Sequence, residues 1–253
     1  MRLLFIRHGD PDYEHDSLTE KGFREAELLV PRLTKEKIDR FYLSPLGRAQ
    51  ATARPTLEAL GAEGETLPWL REFGAVLDVT GSELLTKAYP DTRENGKRIV
   101  WDMLPGYWRN ESAYYGRDSW RDTPVARSSD YSAEYDRVTA EFDKLLASHG
   151  YERSGSMYIT KQGSGQTLAF FCHFGVTCML LSHLFGVSPH ILVHCLAAAP
   201  TSVTELYSEE REKGKVIFRA SRIGDISHLY AQGEPPAFSA RFCEVYENDF
   251  ERH

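Results

Sequence analysis

The sequence predicts an α/β fold: a three-layer α/β/α sandwich with a mostly parallel central sheet and an inserted lid. Three observations predict it. Short apolar runs alternate with helical patterns over the first 70 residues. The alternation stops near Ala75 and resumes at Thr167. Apolar runs on both sides of the interruption end abruptly in reactive polar residues, as strands do when they deliver loops to one edge of a sheet.

Leu3 to Ile6 reads as a short buried strand ending at Arg7-His8-Gly9-Asp10-Pro11. Ser17-Leu18-Thr19-Glu20 has the pattern of a capping box, opening a helix with Phe23, Ala26, Leu29 and Leu33 at apolar positions. Pro31 is expected to kink or shorten its end. Phe41 to Leu43 is a second strand, stopped by Ser44-Pro45, and a helix begins near Leu46. Glu65 to Leu70 is read as a third strand. Between about Ala75 and Gly165 lie all the tryptophans but Trp69, with many tyrosines and scattered arginines, and helical periodicity is clear only from Ser132 to Ser148. No linker composition precedes this stretch. The prediction is therefore one α/β domain over residues 1–253 with a lid at about 76–165. Thr167 to Cys172 is a strand followed by a helix from about Gly175 to Leu184, and Ser202 to Tyr207 with Lys215 to Arg219 form a β-hairpin. The tail after Gly233 is acidic and aromatic and has no assignment.

The chain of 253 residues has 30 basic and 37 acidic side chains, a net charge of −7, with 42% hydrophobic residues. That is the composition of a globular protein with a sizeable core. The acidic total argues against a nucleic-acid or anionic-membrane binder, although a locally basic pocket can still take a small anion. The apolar run at the N-terminus is too short for a signal-peptide core. Leu168 to Val187 is interrupted by Cys172, His173, Thr177, Ser182 and His183, so it reads as strand plus core helix and not as a membrane span. Four cysteines in a chain of this kind suggest reduced thiols and a cytoplasmic location.

The strand ends carry the chemistry. One delivers Arg7 and His8, the second leads to Ser44 and Arg48, and the later one delivers His173 and Gly175. In an open α/β sheet ligands bind beyond the carboxyl ends of the strands, so these segments can converge. Two arginines and two histidines together make a phosphate site: arginine offers bidentate donors, and histidine a nucleophile or acid near neutral pH.

Leu4-Phe5-Ile6-Arg7-His8-Gly9 followed by Leu18-Thr19-Glu20-Lys21-Gly22 resembles the opening of the histidine phosphatase superfamily, in the phosphoglycerate mutase-like branch. Ser44-Pro45-Leu46-Gly47-Arg48-Ala49-Gln50-Ala51-Thr52-Ala53 resembles that family's second block. Leu70-Arg71-Glu72-Phe73-Gly74 is similar to the third, Phe171-Cys172-His173-Phe174-Gly175-Val176 to the fourth, and Pro200-Thr201-Ser202-Val203-Thr204 to the strand that follows. The resemblance covers roughly residues 2–75 and 166–208.

The resemblance implies a metal-independent phosphatase acting on a small phosphomonoester, with no cofactor. His8 would be the nucleophile and form a phosphohistidine. Arg7, Arg48, His173 and the backbone N–H of Phe174 would hold the transferring phosphoryl group, and Glu72 would donate a proton to the leaving oxygen and then activate water. The chemistry is consistent: a nucleophilic histidine must be neutral, and nearby guanidinium groups disfavour its protonated form. A loose phosphoryl-transfer transition state is stabilised chiefly by fixed cations. A phosphomutase is the alternative, since the same core serves both reactions, and a catalytically inactive binding module is a third reading. The sequence departs from the family's pattern at Asp10-Pro11, in lacking an Asn before Ser17, and at Phe174, where Gly is usual.

Other candidates carry less. His190 and His194 have helical i, i+4 spacing near His183, Cys178 and Cys195, but without a metal-binding pattern, so no metal is expected. Cys172 and Cys178 read as small buried hydrophobes. In the lid, Trp101, Tyr107, Trp108, Tyr114, Tyr115 and Trp120 interleave with Arg93, Lys97, Arg98, Arg109, Arg117 and Arg121, a pattern that could line a pocket for a second anionic or aromatic group. Residues 91–127 hold seven basic against six acidic side chains, a net of +1, which is too little for a nucleic-acid groove. Asp225 and His228 either approach the site or end a hairpin.

Overall fold

The computed structural model describes residues 1–89, 96–238 and 247. These divide into two compact units: Met1–Glu72 with Ile159–Thr177 and the chain from Ala197 onward, and Phe73–Tyr158 with Cys178–Leu196.

The first unit is built on a mixed sheet. Six of the sheet's eight strands are β1 (Arg2–Arg7), β2 (Arg40–Leu43), β3 (Gly64–Thr66), β4 (Thr167–Cys172), β5 (Val203–Glu212) and β6 (Lys215–Asp225), in the order β3-β2-β4-β1-β5-β6. The first four of that order are mutually parallel. β5 runs antiparallel to β1, and β6 to β5. β1 and β4 are buried on both faces, which explains why they read as continuous apolar runs and not as alternating ones. The outer hairpin alternates: Val216 and Phe218 are buried while Ile217 and Arg219 are exposed.

Helices α1 (Glu20–Leu33) and α2 (Gly47–Leu60) cover one face. Leu4, Ile6, Phe41, Leu43, Ala169, Phe171 and Val203 from the strands meet Leu29, Leu33 and Ala53 from the helices in one cluster. Phe5, Phe170 and Tyr42 stack on the opposite face, with ring centroids 5.0 and 5.2 Å apart. The fold class is thus α/β, as the sequence predicts.

Local details differ from the reading of the sequence. The cap of α1 is Thr19, whose hydroxyl accepts the Gly22 N–H at 3.1 Å; Ser17 and Leu18 instead form a short strand paired with Pro11–Asp12. Pro31 lies in the last turn without ending the helix, because only one N–H is lost there and the helix stops two residues later. The third strand is Gly64–Thr66, displaced from Glu65–Leu70, since Pro68 opens a 3-10 turn at Pro68–Leu70. The hairpin strands are longer than predicted and turn at Lys213-Gly214.

The second unit has an aromatic core. Its longest helix, Tyr131–Ser148, buries Tyr131, Tyr135, Val138, Phe142 and Leu146, and Trp120 packs at 4.8 Å from Tyr131 and 5.2 Å from Tyr135. A two-stranded ribbon pairs Val76–Asp78 with Lys97–Ile99. Among the described residues, no helix is long and apolar enough to cross a membrane.

Candidate active site

The sheet register brings the strand ends together. Arg7 of β1 pairs with Cys172 of β4, and Leu43 of β2 with Phe171. The next residue of each strand carries on the ladder: the His8 N–H donates to the Cys172 carbonyl at 3.0 Å, and the Ser44 N–H to the Phe171 carbonyl at 2.9 Å. His8, Ser44 and His173 therefore emerge side by side at the carboxyl edge, where an α/β sheet places its ligands.

Two glycines allow the loop after β1 to lie against α1. A Cβ on Gly9 would sit 2.7 Å from the Gly22 carbonyl oxygen, and one on Gly22 only 2.2 Å from that of Asp10. This is why Gly appears in both Arg7-His8-Gly9 and Glu20-Lys21-Gly22. Thr52 ties the loop to α2, accepting the Gly9 N–H at 2.9 Å while its hydroxyl donates to the Arg48 carbonyl at 2.8 Å.

His8 is buried, and its Nδ1 faces the Gly9 carbonyl at 2.7 Å. A carbonyl only accepts, so Nδ1 carries the proton and Nε2 keeps its lone pair. Burial, then Arg7 and Arg48, lowers the His8 pKa to about 3, against the hydrogen bond to Gly9. The ring is neutral throughout the physiological range. The His173 ring centroid is 5.1 Å away. His173 is also held neutral, first by burial and then by His8, Arg48 and Arg7.

The cations are anchored from behind. Arg7 is buried and donates through Nη1 to the Ala198 carbonyl at 2.6 Å. Arg48, in the first turn of α2, is buried as well; its Nη1 pairs with Asp16 at 2.6 Å, and its guanidinium lies 5.4 Å from the Tyr13 ring. The Arg48 Nε is buried without a hydrogen-bond partner.

Phe174 opens helix α3 (Phe174–Phe185), two residues beyond the end of β4. His173 precedes the helix and its carbonyl accepts the Thr177 N–H at 3.2 Å, so the amides of the first turn have no acceptor within the helix. Two of them hold Glu72: Gly175 and Val176 donate to its two carboxylate oxygens at 3.3 and 3.0 Å. A helix N-terminus thus fixes the carboxylate, and the Phe174 amide starts the same turn.

All six residues singled out from the sequence, His8, Glu72, His173, Arg7, Arg48 and Phe174, belong to the first unit. An imidazole with an unprotonated Nε2, two fixed guanidiniums and a clamped carboxylate can accept, hold and release a phosphoryl group.

The whole arrangement has a counterpart. Residues 3–219 match the model of the histidine phosphatase superfamily (branch 1). The chain belongs to this superfamily. Curated relatives include a probable phosphoglycerate mutase of Serratia proteamaculans, 29% identical over 109 residues, and one of Yersinia enterocolitica, 31% identical over 110. Each alignment covers 40% of this chain and 50% of the relative, so the chain spans about half the length of the curated relatives it matches. Among solved structures, a phosphoserine phosphatase mutant from Entamoeba histolytica in complex with phosphoserine superposes with a TM-score of 0.56 at 15% identity, covering 90% of this chain and 98% of that one. A mycobacterial glucosyl-3-phosphoglycerate phosphatase does so with a TM-score of 0.53 at 18% identity, covering 87% and 96%. At such identities the likeness shows the superfamily's fold.

Around this superfamily core the structure adds residues that sequence reasoning missed. Asp16 was not singled out; it lies in the left-handed region (φ 44°), pairs with Arg48 and accepts the Gly47 N–H at 2.7 Å. The signal was Gly47, where a Cβ would meet the Asp16 carbonyl oxygen at 2.2 Å. Thr201, also left-handed (φ 56°), donates its N–H to the His8 carbonyl at 3.1 Å. His228 faces the Thr201 hydroxyl at 3.0 Å, which answers the question left by Asp225 and His228: the histidine braces the His8 segment, and Asp225 pairs with Arg32 at 2.9 Å.

The arginines of the stretch expected to form a lid are largely occupied. Arg117 pairs with Asp118, Arg121 with Asp136, and Arg109 stacks on Trp108 at 5.2 Å. Arg93 lies outside the described residues, as does Cys243. His194 uses both ring nitrogens, Nδ1 toward the His190 carbonyl and Nε2 accepting the Met103 N–H. Among the described residues, no group of three or more His, Cys, Asp or Glu side chains is placed to hold a metal ion. Burial pushes the Cys172 thiol up to about 12, so it behaves as a small hydrophobe.

Proposed function

We propose that the chain hydrolyses a small phosphomonoester through a phosphohistidine on His8. The observation that carries this reading is the hydrogen bond from His8 Nδ1–H to the Gly9 carbonyl, which leaves Nε2 as the lone pair beside two arginines. Nε2 attacks phosphorus while the ester P–O bond breaks, and protonated Glu72 gives its proton to the departing oxygen. Water then attacks the phosphohistidine and passes a proton to Glu72. The P–N bond breaks, inorganic phosphate leaves, and His8 returns to its neutral form. Arg7, Arg48, His173 and the Phe174 amide hold the phosphoryl oxygens, where charge accumulates in the transition state. No cofactor or metal has a part in this scheme.

The names of the curated relatives favour a second reading, a phosphomutase in which a substrate hydroxyl replaces water in the second half-reaction. The two are separated by measuring phosphate release from sugar, glycerate and nucleotide phosphates with and without a bisphosphoglycerate primer. The test of the shared first step is His8→Ala, which is expected to abolish both turnover and an acid-labile phosphoenzyme. Full activity in that variant overturns the mechanism.

A further inference from the structure

Ser44 is the residue that stops β2, and its hydroxyl is completely buried. Its Oγ lies 2.7 Å from His173 Nε2 and accepts the Leu46 N–H at 3.2 Å. The direction of the first bond follows from counting donors. A serine hydroxyl has one proton and two lone pairs. Leu46 already supplies a donor, and the only acceptor recorded for the hydroxyl proton among the described residues is His173 Nε2. If that nitrogen carried a proton, Oγ would accept twice and leave its own buried O–H unsatisfied, which costs about 1–3 kcal/mol. The O–H therefore donates to Nε2, and the one proton of the neutral ring sits on Nδ1.

His173 Nδ1 is buried and has no hydrogen-bond partner. It belongs to a ring 5.1 Å from that of the nucleophile. A phosphoryl oxygen can be bound there only by a donor, since a bare imidazole nitrogen would repel it.

We propose that Ser44 is a positioning residue that fixes the tautomer of His173, so that Nδ1–H is the donor held ready for a phosphoryl oxygen. This deepens the phosphatase reading and rests on it for the identity of the ligand. The substitution acts through His173 and touches no substrate, yet its effect is chemical: without the hydroxyl, Nε2 can take the proton and turn the phosphate-facing nitrogen into an acceptor.

The experiment is long-range proton–nitrogen correlation NMR on the full chain labelled with nitrogen-15 histidine, near pH 7 and without ligand. The His173 signals are identified by their loss in His173→Asn. Wild-type His173 is expected to carry its proton on Nδ1. Ser44→Ala loses that pattern and its kcat for p-nitrophenyl phosphate falls about 10- to 100-fold, the size of loss found when the hydrogen-bond partner behind a metal-ligating histidine is removed. Ser44→Thr, which keeps the hydroxyl, retains the tautomer. Wild-type His173 protonated on Nε2 overturns the proposal without any variant, and so does Ser44→Ala with unchanged tautomer and kcat. Because the tautomer is read without substrate, failure of the wild type to turn over any phosphomonoester would fall on the proposed function, while the NMR result still decides the role of Ser44.

Discussion

Asp16 holds Arg48 and the start of α2 with one carboxylate: Oδ1 pairs with the guanidinium at 2.6 Å, and Oδ2 accepts the Gly47 N–H at 2.7 Å. The first contact orients a cation that the proposed mechanism points at phosphate, but it also leaves a negative charge beside that anion. Asp16→Asn removes the charge while its amide oxygen can still serve Gly47. A like charge at a few ångströms in a largely aqueous setting is worth about 1 kcal/mol. Inorganic phosphate is therefore expected to inhibit Asp16→Asn at concentrations about fivefold lower than the wild type. Asp16→Ala also loses the cap and should unfold with about 1 kcal/mol less stability. Competitive inhibition and thermal unfolding check both outcomes, and weaker phosphate binding by Asp16→Asn would show that orientation outweighs repulsion.

The state of His8 sets a kinetic expectation. With its pKa lowered to about 3 by burial, Arg7 and Arg48, the ring remains unprotonated at pH 5, as the proposed phosphoryl transfer to it requires. Rapid-quench formation of the phosphoenzyme from p-nitrophenyl phosphate, corrected for the ionisation of the substrate, should be flat between pH 7 and pH 5. A decline following a pKa near 6.5, that of a solvated histidine, would contradict the buried environment.

Glu72 accepts amide protons from Gly175 and Val176 at the start of α3, which fixes the carboxylate at a helix N-terminus. If it protonates the leaving oxygen, its removal matters most where that oxygen is a strong base. Glu72→Gln is expected to lower kcat at least about 100-fold on an alkyl phosphate, within the range of general acid catalysis, and much less on p-nitrophenyl phosphate. Equal losses on the two substrates would assign Glu72 a purely structural task.

The parts of the site that could be read from the sequence are those in which one residue type answers one local demand. Buried parallel strands had to be apolar on both faces, so β1 and β4 were legible, and His8 and His173 followed at their ends. Gly9 and Gly22 stand where a Cβ would collide with backbone. Asp16 and Thr201 were not legible, because their partners, Arg48 and the His8 carbonyl, are remote in sequence and meet them only through the folded loops. The capping box failed for a similar reason. Ser17 satisfied the pattern, but pairing of Pro11–Asp12 with Ser17–Leu18 took it into a ribbon, and the cap passed to Thr19. In the second unit the aromatic residues signalled a core without saying which would pack together.

That core holds a histidine whose burial has a measurable consequence. His190 is fully buried, with ring contacts to Tyr114 at 4.8 Å, Tyr131 at 5.1 Å and Trp120 at 6.0 Å, and neither of its nitrogens has a hydrogen-bond partner. Burial, with His194 beside it, holds it neutral well below the usual pKa. The unfolded chain takes up a proton at this position as pH falls below about 6.5, and the folded one does not, so stability falls as pH is lowered by up to about 1.4 kcal/mol per pH unit. His8 and His173, with His194 and His228 at about 4, act in the same direction. Asp102 opposes them: burial raises it to about 6, so it adds stability at low pH that is lost as pH rises through that value. His190→Leu fills a similar volume and binds no proton in either state. Its stability advantage over the wild type should grow by up to about 2 kcal/mol between pH 7.5 and pH 5. Denaturant unfolding at the two pH values measures the difference, and parallel losses in the two proteins would mean that His190 is protonated in the folded state.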